Sequence, residues 1–157
     1  MGTPIREQIL TNLKWTLEQI TTAGTYKTTV GTVERLFQSW TETEDSECPY
    51  IGIVCRGEDY AWEHSGFCRA TMDVNLVCHW TRDATQVAMR EGLDGLLDDI
   101  IRRLMKDDPG LKGDGGTTIK AVNVIVDRAD TDEESDRGGR TMNVELRIIF
   151  NRTTSAS

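Results

Sequence analysis

The sequence predicts a single-domain α+β protein in which helices pack on one face of a mainly antiparallel or mixed sheet. Two segments repeat apolar residues at helical spacing, and five others are rich in β-formers or alternate in polarity. A length of 157 residues fits one domain. The predicted element order is α-β-β-β-α-β-β, with one domain over residues 1–152 and a flexible tail at 153–157.

The first half of the chain opens with an amphipathic helix. Thr3 is a suitable N-cap and Pro4 suits the first helical position, and apolar residues then recur on one face over residues 5–20. Residues 26–37 are rich in Thr and Val, which predicts a strand. After an acidic loop at 41–47, residues 50–55 predict a second strand.

The next segments predict a hairpin. Residues 70–80 alternate apolar and polar side chains, which is typical of a strand with one covered face. Residues 56–68 lie between the two strands and are interpreted as an extended hairpin tip with its apex near Ala61 and Trp62.

A second helix is predicted to begin at a capping box formed by Asp83 and Gln86. Its apolar stripe continues to Leu104, and residues 107–110 end it. Gly92 borders this stripe and is expected to allow close packing on the sheet. Gly95 lies on the other side and has no evident role.

Two strands complete the predicted sheet. Residues 119–126 are almost all apolar, which predicts a strand covered on both faces. Residues 142–150 alternate in polarity and predict a half-buried strand.

The charge balance argues against some functions. Eighteen basic against 26 acidic residues give a formal net charge of −8, which disfavours a grip on phosphate backbones. No apolar run approaches the ~20 residues of a membrane span. Residues 1–7 lack the basic flank and apolar stretch of a signal peptide.

The cysteines do not predict a metal site. Cys48, Cys55, Cys68 and Cys78 have no pair at the C-x(2–4)-C spacing of structural zinc sites, and we interpret them as reduced thiols. Cys55 and Cys68 are equidistant from the predicted apex, so a disulfide under oxidising conditions stays open. His79 is expected to be exposed, on the face opposite Cys78.

No catalytic, cofactor-binding or metal-binding residue is predicted. Residues 130–136 alternate carboxylates, but Ser135 and Thr141 stand where a calcium loop of the EF-hand type needs Gly and Glu. This segment is interpreted as a solvated hairpin tip. The glycine-rich residues 110–118 lead from helix to strand, the reverse of a phosphate-binding loop, and predict a connector.

Aromatic side chains outside the apolar stripes predict contacts between protein subunits, because aromatic residues are enriched at interfaces. Trp15 lies opposite the apolar face of the first helix, and two further aromatics sit in the hairpin tip away from the sheet. The candidate contact residues are Trp15, Trp40, Tyr60, Trp62, Asp130, Asp132, Glu133, Glu134 and Asp136.

The arrangement resembles the tail terminator proteins of long-tailed bacteriophages, the minor tail protein U type. The resemblance covers residues 4–151. It includes the opening helix, the strand at 48–53 after a polar loop, the alternating strand at 70–80, the capped helix containing residues 93–100, and a closing strand pair round a charged loop.

The resemblance implies a non-enzymatic structural protein of the virion that needs no cofactor. Such proteins form a homo-hexameric ring on the last ring of the tail tube, end tube polymerisation and join the head-side connector or neck, with the tail sheath as a further partner. DNA would pass through the ring without specific binding, and no membrane is involved. The alternatives are a head–tail adaptor, a tail tube subunit and, remotely, a metal-dependent hydrolase using carboxylates at 127–136.

Overall fold

The computed structural model describes residues 4–36, 42–81, 83–111, 121–131 and 141–153. It has two α-helices and a five-stranded mixed sheet in one α+β unit, as predicted, and the element order agrees with the sequence analysis. The elements are α1 Ile5–Glu18, β1 Thr32–Glu34, β2 Tyr50–His64, β3 Phe67–His79, α2 Gln86–Arg102, β4 Ala121–Thr131 and β5 Thr141–Thr153.

The strands lie side by side in the order β1-β2-β3-β5-β4. β1 runs parallel to β2, whereas the β2–β3, β3–β5 and β5–β4 pairs are antiparallel. A helix connects β3 to β4, and β4 returns to the outer side of β5 rather than to β3. β4 is therefore the last strand at one side of the sheet.

The core lies between the helices and one face of the sheet. Both predicted apolar stripes face it, although Ile5 and Leu97 are only partly buried and Ile101 is exposed. Each fully buried aliphatic side chain contributes roughly 1.5–3 kcal/mol to folding. The central side chains are Ile9, Leu13, Leu17, Met72, Leu76, Met89, Leu93, Leu96, Val144 and Ile148.

The β2–β3 hairpin is much longer than predicted. β2 continues without a break through residues 56–64, and the chain reverses at Ser65 and Gly66, where Gly66 has a φ of 89°. The predicted apex at Ala61 was wrong because the alternation of the charged and aromatic residues there belongs to a strand, not to a loop. Glycine suits the turn because positive φ is unstrained for it.

The shifted apex also excludes the Cys55–Cys68 disulfide. Cys55 is aligned with Val74 and Cys68 with Trp62, so the two thiols are far apart along the hairpin. None of the four cysteines, all of them described residues, forms a disulfide. Burial raises the pKa of the Cys78 thiol to about 12, which keeps it protonated and unreactive.

Of the segment predicted as a strand over 26–37, residues 26–36 are described, and among them only Thr32–Glu34 form a strand. Before it, the chain is tied to α2 by the buried Asp99 carboxylate. That carboxylate accepts hydrogen bonds from the backbone N–H groups of Lys27 and Thr28, at 3.0 and 2.8 Å, and from the Thr28 hydroxyl at 2.6 Å. This local arrangement replaces a β-ladder that the Thr- and Val-rich composition favoured.

The helix starts differ from the predicted ones. Pro4 occupies the N-cap of α1, and Thr3 lies outside the described residues. In α2 the cap is Thr85, whose Oγ1 accepts from the backbone N–H of Ala88 at 3.2 Å, so the box of Asp83 and Gln86 was wrong. The Thr85 oxygen thereby satisfies a free N–H of the first helical turn, as an N-cap side chain does, two residues later than predicted.

The interpretation of residues 119–126 as a strand covered on both faces was also wrong. β4 is the terminal strand, and only Val124 is buried among its described side chains. Its apolar composition therefore did not report its position in the sheet, which is at the edge.

His79 is buried rather than exposed. Its ring stacks on that of Tyr50 with centroids 5.5 Å apart, and its Nδ1 lies 3.1 Å from Thr141 Oγ1. Burial, first among several causes, raises the pKa of Tyr50 to about 12. This cluster lies on the sheet face opposite the helices, at the end of the sheet that β1 covers.

Candidate interaction surfaces

The far end of the β2–β3 hairpin carries the largest exposed aromatic surface among the described residues. Tyr60 and Trp62 are 50% and 55% exposed, and their ring centroids are 6.4 Å apart. They belong to β2 itself, so their predicted position away from the sheet was wrong. They are aligned with the buried residues Ala70 and Cys68, which places both rings on the helix-bearing face of the sheet.

Small residues on the middle strand shape this surface. Across the sheet, Tyr60 is aligned with Ala70 and Phe150, whereas Trp62 is aligned with Cys68 and Arg152. Ala70 and Cys68 are short, so the surface is lower along β3 than along its neighbours. The Arg152 guanidinium carbon stands 6.0 Å from the Tyr60 ring centroid and 5.9 Å from that of Phe150.

A buried carboxylate fixes the surface from below. Only 2% of the Glu58 side chain is exposed. It accepts from the Tyr60 hydroxyl at 2.9 Å and from Arg152 Nη2 at 3.2 Å, and Arg6 Nε of α1 lies 3.5 Å away. Charge-assisted hydrogen bonds are stronger than neutral ones, so this network anchors Tyr60 to β5 and to the start of α1, and Trp62 packs beside the Tyr60 ring.

Two arginines surround one carboxylate here, so this group of three side chains has one positive charge in excess. The hydrogen bond to Glu58 is the first cause that raises the pKa of Tyr60, so its hydroxyl stays protonated at neutral pH. We call Tyr60, Trp62, Arg152, Glu58 and Arg6 the hairpin surface. It combines apolar area with cationic groups, a combination enriched in protein–protein contacts.

The other predicted contact residues do not join the hairpin surface. Trp15 is half-buried rather than exposed, because the Arg103 guanidinium carbon lies 5.8 Å from its ring centroid. Trp40 lies outside the described residues. Asp130 belongs to β4 and pairs with Arg128 at 2.9 Å in an exposed ion pair.

Most of the predicted acidic contact residues lie in the segment between β4 and β5. Asp132, Glu133, Glu134 and Asp136 lie outside the described residues, as does Ser135, whereas Thr141 is the first residue of β5. The glycine-rich connector also lies outside them from residue 112 onward. Their part in subunit contacts stays a prediction.

The sheet face opposite the helices carries an open polar cavity of about 420 Å³. Arg56, Asp73, Asp127 and Glu145 line it, and Arg147 holds Asp127 in a two-point ion pair at 2.6 and 2.9 Å. Within the described ranges, no group of three or more His, Cys, Asp or Glu residues is placed to hold a metal ion. At this cavity, Asp127 is thus paired with Arg147, and the described residues form no cluster of metal ligands.

Sequence reasoning missed Glu58, Arg6 and Arg152 as parts of this surface. The signal for Glu58 was its period-two spacing with Tyr60 and Trp62, which places all three on one face of a strand. Arg152 has no local signal, because it lies 94 positions from Glu58 and only the β3–β5 register brings it close.

The chain matches no protein-family model and no curated protein sequence. Among the described residues, no helix has both the length and the apolar character needed to cross a lipid bilayer.

Proposed function

We propose that this chain is a subunit of a homo-hexameric ring that caps the tail tube of a long-tailed bacteriophage. The observation that carries the proposal is the hairpin surface, where Tyr60 and Trp62 stay half exposed although the buried Glu58 carboxylate and Arg152 hold Tyr60 in place. The family resemblance of the sequence and the matching α+β element order support it. Virion localisation and the absence of enzymatic activity belong to the same proposal.

The proposed mechanism is binding without chemistry. One face of the ring would match the last ring of tube subunits, and the other would offer no site for another tube ring. Polymerisation would end there, and the second face would receive the head-side connector or neck. Where the tail has a sheath, the sheath would be a further partner.

The hairpin surface suits such a contact. Tyr and Trp bury much area for little lost side-chain entropy, and Arg is enriched beside them in interfaces. Because Glu58 and Arg152 already fix Tyr60, little further ordering is needed on binding. A net charge of −8 per chain would let DNA pass through the ring without being held.

The test is electron microscopy of tails assembled without this chain and after adding it back. We expect overlong tubes without it and tubes of uniform length with the wild type. Trp62→Ala should restore length control poorly. Val87→Ala is the matched control, because Val87 is 66% exposed on α2, and it should behave as the wild type.

Other outcomes identify the rival functions. Tubes of normal length that fail to join heads would indicate a head–tail adaptor, and an absence of tubes would indicate a tube subunit. Stabilisation by Mg²⁺ or Ca²⁺ in a thermal melt would favour the metal-dependent hydrolase. Each of these results would overturn the terminator proposal.

A further inference from the structure

The sheet has two long backbone edges without a strand partner among the described residues. On one side, β1 covers only residues 50–52 of β2, so no described strand pairs with the outer side of β2 from Ile53 to His64, a stretch that has register shifts against β3 at 55/57 and 62/64. On the other side, β4 pairs with β5 and with no further strand. Unpaired edges present rows of N–H and C=O groups that can bind another strand.

One stretch of the β4 edge, residues 123–126, lacks the usual protection against such pairing. Soluble proteins protect edge strands with charges, Pro or bulges. β4 has register shifts at 121/123 and 126/128, but the regular stretch between them reads Asn-Val-Ile-Val and carries no charge. Asn123 is exposed, and Ile125 and Val126 are half-buried, so this stretch is accessible from outside.

The directions of the two edge strands are complementary. β2, β3, β5 and β4 alternate in direction across the sheet, so β4 runs antiparallel to β2. When a second copy stands beside the first in the same orientation, its β2 meets the first copy's β4 as an antiparallel neighbour. The junction would then repeat the geometry of the junctions inside the subunit.

The two edges also lie at the same height along the strands. Asn123 is aligned with Ile149, then with Thr71 of β3 and finally with Asp59 of β2. In the same way, Ile125 is aligned across the sheet with Arg147 of β5, Asp73 of β3 and Gly57 of β2. Residues at one height share a face, so the helix-bearing faces of the two copies would stay on the same side.

We propose that β4 of one copy pairs with the free part of β2 of the next copy, so that the sheet continues from subunit to subunit. The occupant of each edge is therefore a second copy of this chain. Such a head-to-tail contact is heterologous. It closes into a ring when a whole number of rotations between neighbouring copies makes one full turn. This inference rests on the proposed ring and names the surface that builds it.

The test is cross-linking between two cysteines that are introduced one on each sheet edge. Cys48 and Cys55 are first changed to Ser, while the buried Cys68 and Cys78 stay. Asp59→Cys and Asn123→Cys then place one exposed thiol on each edge. A short bismaleimide spanning about 8 Å covers directly opposite and diagonal residues of an antiparallel pair.

We expect an equal mixture of the two single variants to give cross-linked dimers, and the protein carrying both cysteines to give a ladder that ends at the ring. Each single variant alone should stay uncross-linked, because a heterologous contact joins two different surfaces and never brings a site next to the same site of another subunit. The matched control mixes Asp59→Cys with Asp94→Cys, an exposed position on α2, and should give no dimer.

The outcomes separate this inference from the proposed function. Rings seen by mass photometry without cross-links between 59 and 123 would overturn the edge pairing and leave the terminator proposal standing. Cross-linked rings that fail to control tube length would support the edge pairing and overturn the terminator proposal. A protein that is monomeric at its highest attainable concentration and does not cross-link would overturn the edge pairing.

Discussion

Two glycines of α2 that occupy similar helical positions should respond in opposite ways to the same substitution. A Cβ at Gly92 would lie 2.3, 2.5 and 2.7 Å from three atoms of the Trp80 indole. A Cβ at Gly95 would approach nothing closer than 3.6 Å, where it meets Lys27 and Thr28. The predicted close packing at Gly92 is thus confirmed, and Gly95 is in ordinary van der Waals contact with the segment before β1.

The magnitudes follow from two opposing effects. Replacing Gly by Ala in a helix interior gains about 1 kcal/mol. At Gly92 this gain competes with overpacking, which costs typically 1–3 kcal/mol and occasionally more when the neighbours must move. Because three ring atoms are overlapped, we expect Gly92→Ala to lower the free energy of unfolding by about 2 kcal/mol. Gly95→Ala should raise it by roughly 0.5–1 kcal/mol.

Urea unfolding of both variants measures these differences, with thermal melts as a second probe. For a chain of this size, 1 kcal/mol corresponds to a shift in Tm of roughly 2–4 °C. Trp80→Phe removes part of the indole, so Gly92→Ala should destabilise that background much less. Equal stability of Gly92→Ala and Gly95→Ala in the wild-type background would refute the packing of Trp80 on Gly92.

Three further perturbations have defined outcomes. Asp99→Asn should lower the free energy of unfolding by about 3 kcal/mol, measured in urea, because the amide cannot accept all three bonds from the 27–28 segment. The hydrogen bond from Arg35 lowers the pKa of Glu7, so Arg35→Gln should be less stable than the wild type at pH 7. This difference in the free energy of unfolding should disappear as the pH falls through the Glu7 pKa of the folded protein. A difference that stays constant with pH would contradict this. Glu58→Gln should cost about 1–2 kcal/mol and lower the pKa of the Tyr60 phenol in an ultraviolet titration, and an unchanged phenol would contradict the network.

The helices and the central strands were predictable because their burial follows a simple period. The stripe of α1 and the alternation of β3 each report which face is covered. The position of β4 in the sheet was not predictable in this way. An apolar run indicates a β-strand, but it does not show how many neighbouring strands that strand has. Its edge position depends on the return of the chain to β5 instead of β3.

The candidate site could be predicted only in part. Tyr60 and Trp62 were identified because large aromatics outside an apolar stripe are conspicuous in a sequence. Their anchor was not identified, because the contact between Glu58 and Arg152 depends on tertiary register. His79 illustrates the same limit: alternation gives the face of the sheet correctly, but the stacked Tyr50 ring decides that this part of the face is closed.

The length of the β2–β3 hairpin affects how the molecule moves. Its far end is supported by β5 and by one ionic contact to α1, whereas the helix layer covers the other end. Amide hydrogen exchange should therefore accelerate from Ile53 toward the turn at Gly66 while the helix-covered strands stay closed. A neighbour bound at the turn would slow that exchange locally, so attachment would be detected as stiffening of the hairpin end and not as refolding of the sheet.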